Sequence, residues 1–182
     1  KHDRDSMIYS DGAGATIIEA TDEEGGILAH ESATFSFDEA KFLYFGNSFN
    51  KNEDPNIRYI KMYGRKIYEF ALSNVPKAMA SCLEKSGIAI TDVKKILIHQ
   101  ANEKMDEAII NRFYKLFKME TPAGIMPMSI HKLGNSSVAT VPTLYDLIVN
   151  GELEGQNLNK GDVIIFASVG AGMNINAIVY QM

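Results

Sequence analysis

The chain has 182 residues with 18 basic and 23 acidic side chains, for a formal net charge of −5, and 46% of its residues are hydrophobic. This length supports one full-sized domain with a sizeable core, and the acidic balance disfavours nucleic-acid binding. The sequence has no apolar run of membrane-spanning length and no Cys/His cluster with metal-ligand spacing, so we expect neither a membrane segment nor a metal. One cysteine excludes an internal disulfide and favours a cytoplasmic protein.

The sequence pattern over residues 15–86 predicts two strands, a long loop and a helix. The expected elements are a strand over 15–20, a strand over 27–35, a loop over 38–58 and a helix over 59–86. Gly87 predicts the end of this helix. Pro76 interrupts the pattern, so either one helix kinks there or a second helix begins near Asn74. The chain enters directly into loop and strand without an initiator Met, and we expect it to be a piece of a longer protein.

From residue 95 to residue 180, predicted strands alternate with predicted helices. The expected elements are a strand over 95–99, a helix after the N-cap Asn102, a strand over 125–129, a loop over 131–137, a helix over 138–149, and strands over 163–168 and 175–180. Such alternation predicts an α/β layer with mostly parallel strands. The short glycine turn at 170–172 makes the last two strands antiparallel neighbours.

Two polar residues follow predicted strands and are candidates for chemistry. His99 ends the strand over 95–99, and Asn135 lies in the loop after the next strand. Ligands of open α/β sheets gather at the carboxyl ends of the strands, so the two side chains can converge there. Their N–H groups would then face a carbonyl oxygen that gains negative charge. A structural histidine and an asparagine bonded to turn backbone remain the alternative, which spacing alone favours.

Other candidates are weaker on the residues alone. Cys82 lies within a predicted helix beside Leu83 and is interpreted as a small buried hydrophobic residue. Gly12 and Gly14 precede a strand instead of following one, which disfavours a dinucleotide-binding loop. Lys104 and Lys132 lie near the proposed site, where solvated surface is the default for a cation.

Three motifs together resemble the C-terminal half of a β-ketoacyl-ACP synthase III. They are HQAN (99–102) at a strand end, GNSS (134–137) before a helix and VGAG (169–172) before the last strand. The stretches DGAGA (11–15) and MYGRKIYEFALSNVPKAM (62–79) also resemble that family, in the same order and at similar spacing.

The resemblance implies a thiolase-like fold. This chain would supply one βαβαβαββ half, a layered α/β unit with a mixed five-stranded sheet that ends in an antiparallel strand pair. Residues 1–24 would be the trailing strand and turn of a missing N-terminal half, and residues 25–182 the C-terminal domain.

The resemblance also implies a Cys-His-Asn site divided between two halves. A nucleophilic cysteine, absent from this chain, takes a short acyl group from acyl-CoA. His99 and Asn135 match the residues that hold malonyl-ACP while it loses CO₂, which initiates fatty-acid synthesis. The backbone N–H of Ala171 matches the position that serves the acyl oxyanion. Lys104 matches a basic position near the entrance for CoA and the acyl carrier protein. No cofactor is implied.

Several expectations follow for the molecule as a whole. The fragment alone should be inactive, and its exposed apolar faces should promote self-association. Acyl carrier protein, acyl-CoA, the N-terminal half and a second copy of the chain are the expected partners. Val169 stands where the family usually has Phe, and Ala171 replaces a Gly. A paralogous condensing or acyl-transfer enzyme of a secondary pathway therefore remains an alternative. A non-catalytic half-domain that binds a carrier or dimerises is a separate alternative of another class.

Overall fold

The structure, a computed structural model, describes residues 2–182. Its strands are β1 (Gly26–Thr34), β2 (Leu43–Gly46), β3 (Tyr59–Met62), β4 (Val93–Ile98), β5 (Val163–Gly170) and β6 (Asn174–Gln181). Its α-helices are α1 (Gly64–Ser86), α2 (Glu103–Leu116), α3 (Ile130–Leu133) and α4 (Thr140–Val149). Short 3₁₀ turns occupy Arg4–Ile8, Ala40–Phe42, Ile90–Asp92, Ser137–Ala139 and Ala171–Met173.

A mixed sheet of four strands, in the order β1-β6-β5-β4, forms the centre of the fold. The strands β4 and β5 are parallel, whereas β5–β6 and β1–β6 are antiparallel. The predicted antiparallel pair at the C-terminus is therefore confirmed. The expectation of mostly parallel strands is wrong, because β1 returns to the sheet beside β6 and adds a second antiparallel pairing.

Helices cover both faces of this sheet. On one face α1 and α2 bury the main core, which includes Met79, Ile109 and Phe113. On the other face α4 packs Leu144 and Ile148 against Leu97 of β4. Apolar side chains on both sides explain why β4 and β5 read as nearly continuous hydrophobic runs.

The boundaries of α1 and α2 follow local signals. Gly87 ends α1 in the left-handed conformation, at φ 72°, and its N–H reaches back to the carbonyl of Glu84. Pro76 lies inside α1, which continues through it as one helix, so a second helix near Asn74 does not occur. The predicted N-cap of α2 is present, because the Asn102 side chain accepts the Met105 N–H at 3.2 Å.

The region predicted as a long loop and the start of a helix contains a hairpin. Strands β2 and β3 pair antiparallel within the ranges 38–58 and 59–86. The N-terminal segment is tied to this hairpin, since Asp3 pairs with the buried Lys61 and Asp5 accepts the Met62 N–H at 2.9 Å. Each strand has only four residues, too few for a periodic pattern to appear in the sequence.

Two predicted strands are absent, and the loss of the one over 125–129 leaves the sheet with four strands and not five. Residues 10–20 have no regular secondary structure, and no strand among residues 2–182 pairs with 15–20. Within 125–129 only Ile125 makes a backbone hydrogen bond with β4, by accepting the Ile96 N–H at 2.8 Å. Pro127 lacks the N–H that a strand would need, and its carbonyl accepts the Gln100 side-chain amide at 2.9 Å instead.

No helix within residues 2–182 is long and apolar enough to span a membrane.

Candidate functional site

The parallel pairing of β4 with β5 delivers His99 to the edge of the sheet. Its backbone N–H donates to the Ala167 carbonyl at 2.9 Å, directly after the last residue of β4. The half-buried ring lines two neighbouring cavities of about 650 and 440 Å³. The histidine therefore stands where the two cavities meet.

The surroundings of His99 favour a neutral imidazole. Burial lowers its pKa, because a charged ring loses its hydration, and a hydrogen bond with the Ser137 backbone opposes this effect only in part. A neutral imidazole has one nitrogen that donates a hydrogen bond and one that accepts. The neutral ring thus has one N–H, which can donate either to the Ser137 backbone or to a substrate oxygen without carrying a net charge into the cavity.

Asn135 lies on the smaller cavity together with His99 and is 4% exposed. Its side-chain oxygen accepts the Ser137 N–H at 2.9 Å. Its backbone carbonyl accepts the Ser10 N–H at 2.8 Å. This bond at the amide oxygen leaves both Nδ2 hydrogens able to donate to a ligand.

Ser137 contacts both candidate residues and joins them. Its N–H holds the Asn135 amide, and its backbone also meets the His99 ring. It does so with a left-handed backbone, at φ 55°, which is uncommon for a residue other than glycine. Such strain persists where surrounding contacts over-determine a conformation, as at functional sites.

The segment before Asn135 depends on a glycine. Gly134 has φ 69° and ψ −163°, a combination that is essentially restricted to glycine. A Cβ atom there would lie 3.2 Å from Ser10, whose hydroxyl donates to the Leu133 carbonyl at 2.7 Å. The N-terminal segment therefore packs directly against the loop that carries Asn135.

The remaining predicted site residues lie at different distances from the cavities. Ala171 is exposed and lines the larger cavity, in the β5–β6 turn, with Val169 beside it. Lys104 is exposed in the first turn of α2 and lines neither cavity. Cys82 is fully buried in the main core, and burial raises the pKa of its thiol, so it has the properties of a core residue.

Sequence reasoning missed three contributors to this site: Gln100, Ser137 and Ser10. The Asn-Ser-Ser run could have indicated a turn in which the asparagine side chain bonds the backbone two residues later. Ser10 carries no local signal, because its partner lies more than a hundred positions away.

Taken together, the mainly apolar smaller cavity is lined by two side chains from different loops, His99 and Asn135, each of which can donate a hydrogen bond without carrying a charge. Donors of this kind stabilise an oxygen that becomes negatively charged during a reaction, and they act most strongly where water is excluded. Among residues 2–182, no group of three or more His, Cys, Asp or Glu side chains could hold a metal ion.

Comparison with known families gives a match over residues 83–182, to the model described as 3-oxoacyl-[acyl-carrier-protein (ACP)] synthase III C terminal. A β-ketoacyl-[acyl-carrier-protein] synthase III of Oenococcus oeni is 31% identical over 180 residues, covering 97% of this chain and 52% of that protein. Its counterpart in Clostridium botulinum strain Okra is 32% identical over 176 residues, covering 94% and 51%. The chain thus spans about half the length of the curated relatives it matches.

Solved structures agree on the fold. A 3-oxoacyl-[acyl-carrier-protein] synthase III from Aquifex aeolicus VF5 superimposes with a TM-score of 0.70 at 24% identity, over 90% of this chain and 46% of that one. The synthase III from Thermus thermophilus gives a TM-score of 0.72 at 21% identity, over 91% and 49%. These similarities establish the thiolase-like architecture that the sequence motifs imply.

Proposed function

This chain belongs to the 3-oxoacyl-[acyl-carrier-protein] synthase III family through its C-terminal domain, and on that premise we propose that it supplies the decarboxylating side of a condensing enzyme. The observation that supports this most is the shared cavity of His99 and Asn135, in which two neutral donors face one space. The substrate of this side would be a malonyl thioester carried by acyl carrier protein.

In the proposed reaction, the thioester oxygen of malonyl-ACP accepts hydrogen bonds from His99 and Asn135. The bond between the α-carbon and the free carboxylate breaks, and CO₂ leaves. The electron pair of the broken bond stays with the α-carbon and forms an enolate. Negative charge then develops on the thioester oxygen, so both hydrogen bonds become stronger in the transition state than in the ground state. A neutral His99 suits this role, because a donor that keeps its proton cannot quench the carbanion.

We propose that the nucleophile comes from an N-terminal half, since the one cysteine of this chain is buried in the core. A cysteine thiol of that half would take the acyl group from acyl-CoA and release CoA. The enolate carbon would then attack this acyl thioester, forming the new carbon–carbon bond of 3-oxoacyl-ACP while the cysteine thiolate leaves. Under this proposal the chain alone cannot complete the condensation.

The other predicted residues have subsidiary roles in this proposal. The backbone N–H of Ala171, at the rim of the larger cavity, would stabilise the oxyanion formed on the acyl group. Lys104, exposed in the first turn of α2, would meet CoA phosphate or the acidic carrier protein. Residues 1–24 would complete the N-terminal half, and a second copy of the protein would form a homodimer.

The test uses the full-length protein. Acylation and decarboxylation are measured separately. Intact-mass analysis after exposure to short acyl-CoAs reports acylation, and release of labelled CO₂ from malonyl-ACP reports decarboxylation. We expect His99→Ala and Asn135→Ala to lose about a hundredfold or more in decarboxylation while acylation persists, because each change removes one oxyanion donor.

Lys132→Ala is a suitable control, since it removes an exposed cation of α3 that lines neither cavity. Equal loss of both half-reactions in the His99 variant would argue against a role confined to decarboxylation. An acyl adduct on Cys82, or no adduct with any donor, would contradict the proposed function. Decarboxylation without any ketoacyl product would instead support a specialised relative that uses another acyl acceptor.

A further inference from the structure

Gln100, the residue directly after His99, is fully buried although its side chain is polar. The side-chain amide makes four hydrogen bonds to one short segment. Its nitrogen donates to the Pro127 carbonyl at 2.9 Å, and its oxygen accepts the Ser129 N–H at 2.8 Å, the Ser129 hydroxyl at 3.3 Å and the Ile130 N–H at 2.9 Å. A buried amide so completely bonded is rigid, since each lost bond would leave a buried polar group unpaired.

These bonds replace backbone partners that the segment lacks. Residues 127–129 form no strand, and Ser129 makes no side-chain cap for α3. The Gln100 oxygen binds the Ile130 N–H, which is the first of the unpaired N–H groups that every helix start exposes. Gln100 therefore sets both the position and the direction of α3.

The short helix α3 connects this segment to Asn135. The Gly134 N–H donates to the Ile130 carbonyl at 2.8 Å and closes the single turn. The extended ψ of Gly134, −163°, then directs the chain into Asn135. Only one helical turn thus separates the Gln100 contacts from Asn135, the second donor. The first donor, His99, directly precedes Gln100 in the sequence.

We propose that Gln100 is a positioning residue that fixes His99 and Asn135 relative to each other. This inference rests on the proposed function, because it concerns the same pair of donors. His99 is held by the β4–β5 pairing and Asn135 by the loop after α3, so the two elements need a rigid connection. A shift of about 1 Å between a reacting group and its donors can cost about a hundredfold in rate.

The test replaces Gln100 by Met in the full-length protein, which preserves the length of the side chain and removes all four hydrogen bonds. We expect the turnover number for malonyl-ACP decarboxylation to fall by about ten- to a hundredfold. Acylation by acyl-CoA should stay within about twofold of the parent rate, because it does not use this donor pair. Gln156→Met is the matched control: the same substitution at a residue that lines neither cavity, with both half-reactions expected to stay unchanged.

Gln100→Glu provides a second variant that keeps an oxygen acceptor for Ser129 and Ile130 and replaces the amide donor to Pro127 by a second carboxyl oxygen. Its decarboxylation rate should lie between those of the parent and Gln100→Met. Circular dichroism shows whether Gln100→Met folds. If it does not, Gln100→Glu still tests the inference. A graded loss confined to decarboxylation supports the positioning role, since a purely structural defect would reduce both half-reactions together.

Parental decarboxylation in Gln100→Met, or an equal fall of both half-reactions in both variants, would overturn this inference alone. A parent protein that does not decarboxylate malonyl-ACP would overturn the proposed function, and this inference with it. The behaviour of the parent therefore separates the two failures.

Discussion

At the scale of single residues, Asp106 is the most unusual group in the molecule. It lies in the first turns of α2, is fully buried, and neither carboxyl oxygen has a hydrogen-bond partner within residues 2–182. Burial raises its pKa to about 8. The backbone at Asn102 and Ala101 partly offsets this effect, and the nearby Glu103 and Glu107 add to it. At neutral pH the folded protein therefore holds Asp106 as a neutral acid next to the loop that carries His99.

This shift predicts how the free energy of unfolding depends on pH. Between about pH 4 and pH 8 the folded state keeps the Asp106 proton and the unfolded state loses it, so stability falls as pH rises, by up to about 1.4 kcal/mol per pH unit. Asp106→Asn removes this titration. The variant should gain stability relative to the parent as pH rises from about 5 to about 8, as measured by urea unfolding.

A matched control is Glu84→Gln, an exposed acid of α1. The result for Asp106→Asn is read against this control, measured at the same pH values. His99, whose folded pKa is lowered, contributes the opposite slope, but it does so equally in the parent and in both variants. A constant difference between Asp106→Asn and the parent across this range would show that Asp106 is ionised in the folded protein.

At the scale of elements, α1 shows how a helix accommodates an internal proline. Pro76 has no N–H, so the Leu72 carbonyl one turn earlier loses its partner within the helix. The Arg112 guanidinium of α2 donates to this carbonyl at 3.2 Å. The defect in one helix thus becomes a contact between two helices.

This pairing predicts energetic coupling between two substitutions that are distant in sequence. Arg112→Met should lower the free energy of unfolding by about 1–3 kcal/mol, because it leaves the Leu72 carbonyl without its charged donor. In a Pro76→Ala background the same change should cost less, since the alanine N–H can bond Leu72 within the helix. Urea unfolding of the four proteins gives the coupling energy, and additive effects would show that Arg112 does not compensate for the proline.

The elements that could be predicted from sequence are those whose signals are local. The apolar run of β4, the Asn102 cap and the Gly87 stop are each encoded within a few residues, and all three occur as expected. Strands need partners, and partners are distant in sequence. The stretch 15–20 has strand composition but no neighbouring edge, while Pro127 and the Gln100 side chain prevent 125–129 from joining β4.

The candidate site divides in the same way. His99 and Asn135 are visible because each follows a strand or turn signal, and the shared cavity places them together. The residues that hold them are visible only in three dimensions. Gln100 acts across a proline-containing loop, and Ser10 acts from the opposite end of the chain, so neither contact has a characteristic spacing.

At the scale of the whole molecule, the larger cavity opens onto an uncovered apolar surface. Phe45 and Val138 line this cavity and are 71% and 89% exposed. Phe37 and Ile17, elsewhere in the chain, are almost completely exposed as well. Exposed apolar surface of this extent is typical of an interface. We expect it to be covered by the N-terminal half in the proposed enzyme.

The 182-residue chain alone should therefore self-associate. Its sedimentation coefficient should rise with protein concentration, because apolar surface is removed from water when copies associate. The double variant Phe45→Ser, Val138→Ser should reduce this rise without lowering the free energy of unfolding, since both side chains are exposed in the monomer. Leu116→Ser, at an exposed position on α2 across the sheet from α4, is the control and should leave association unchanged. A full-length protein that associates to the same extent as the fragment, with the same sensitivity to Phe45 and Val138, would mean that the surface faces another copy and not the N-terminal half.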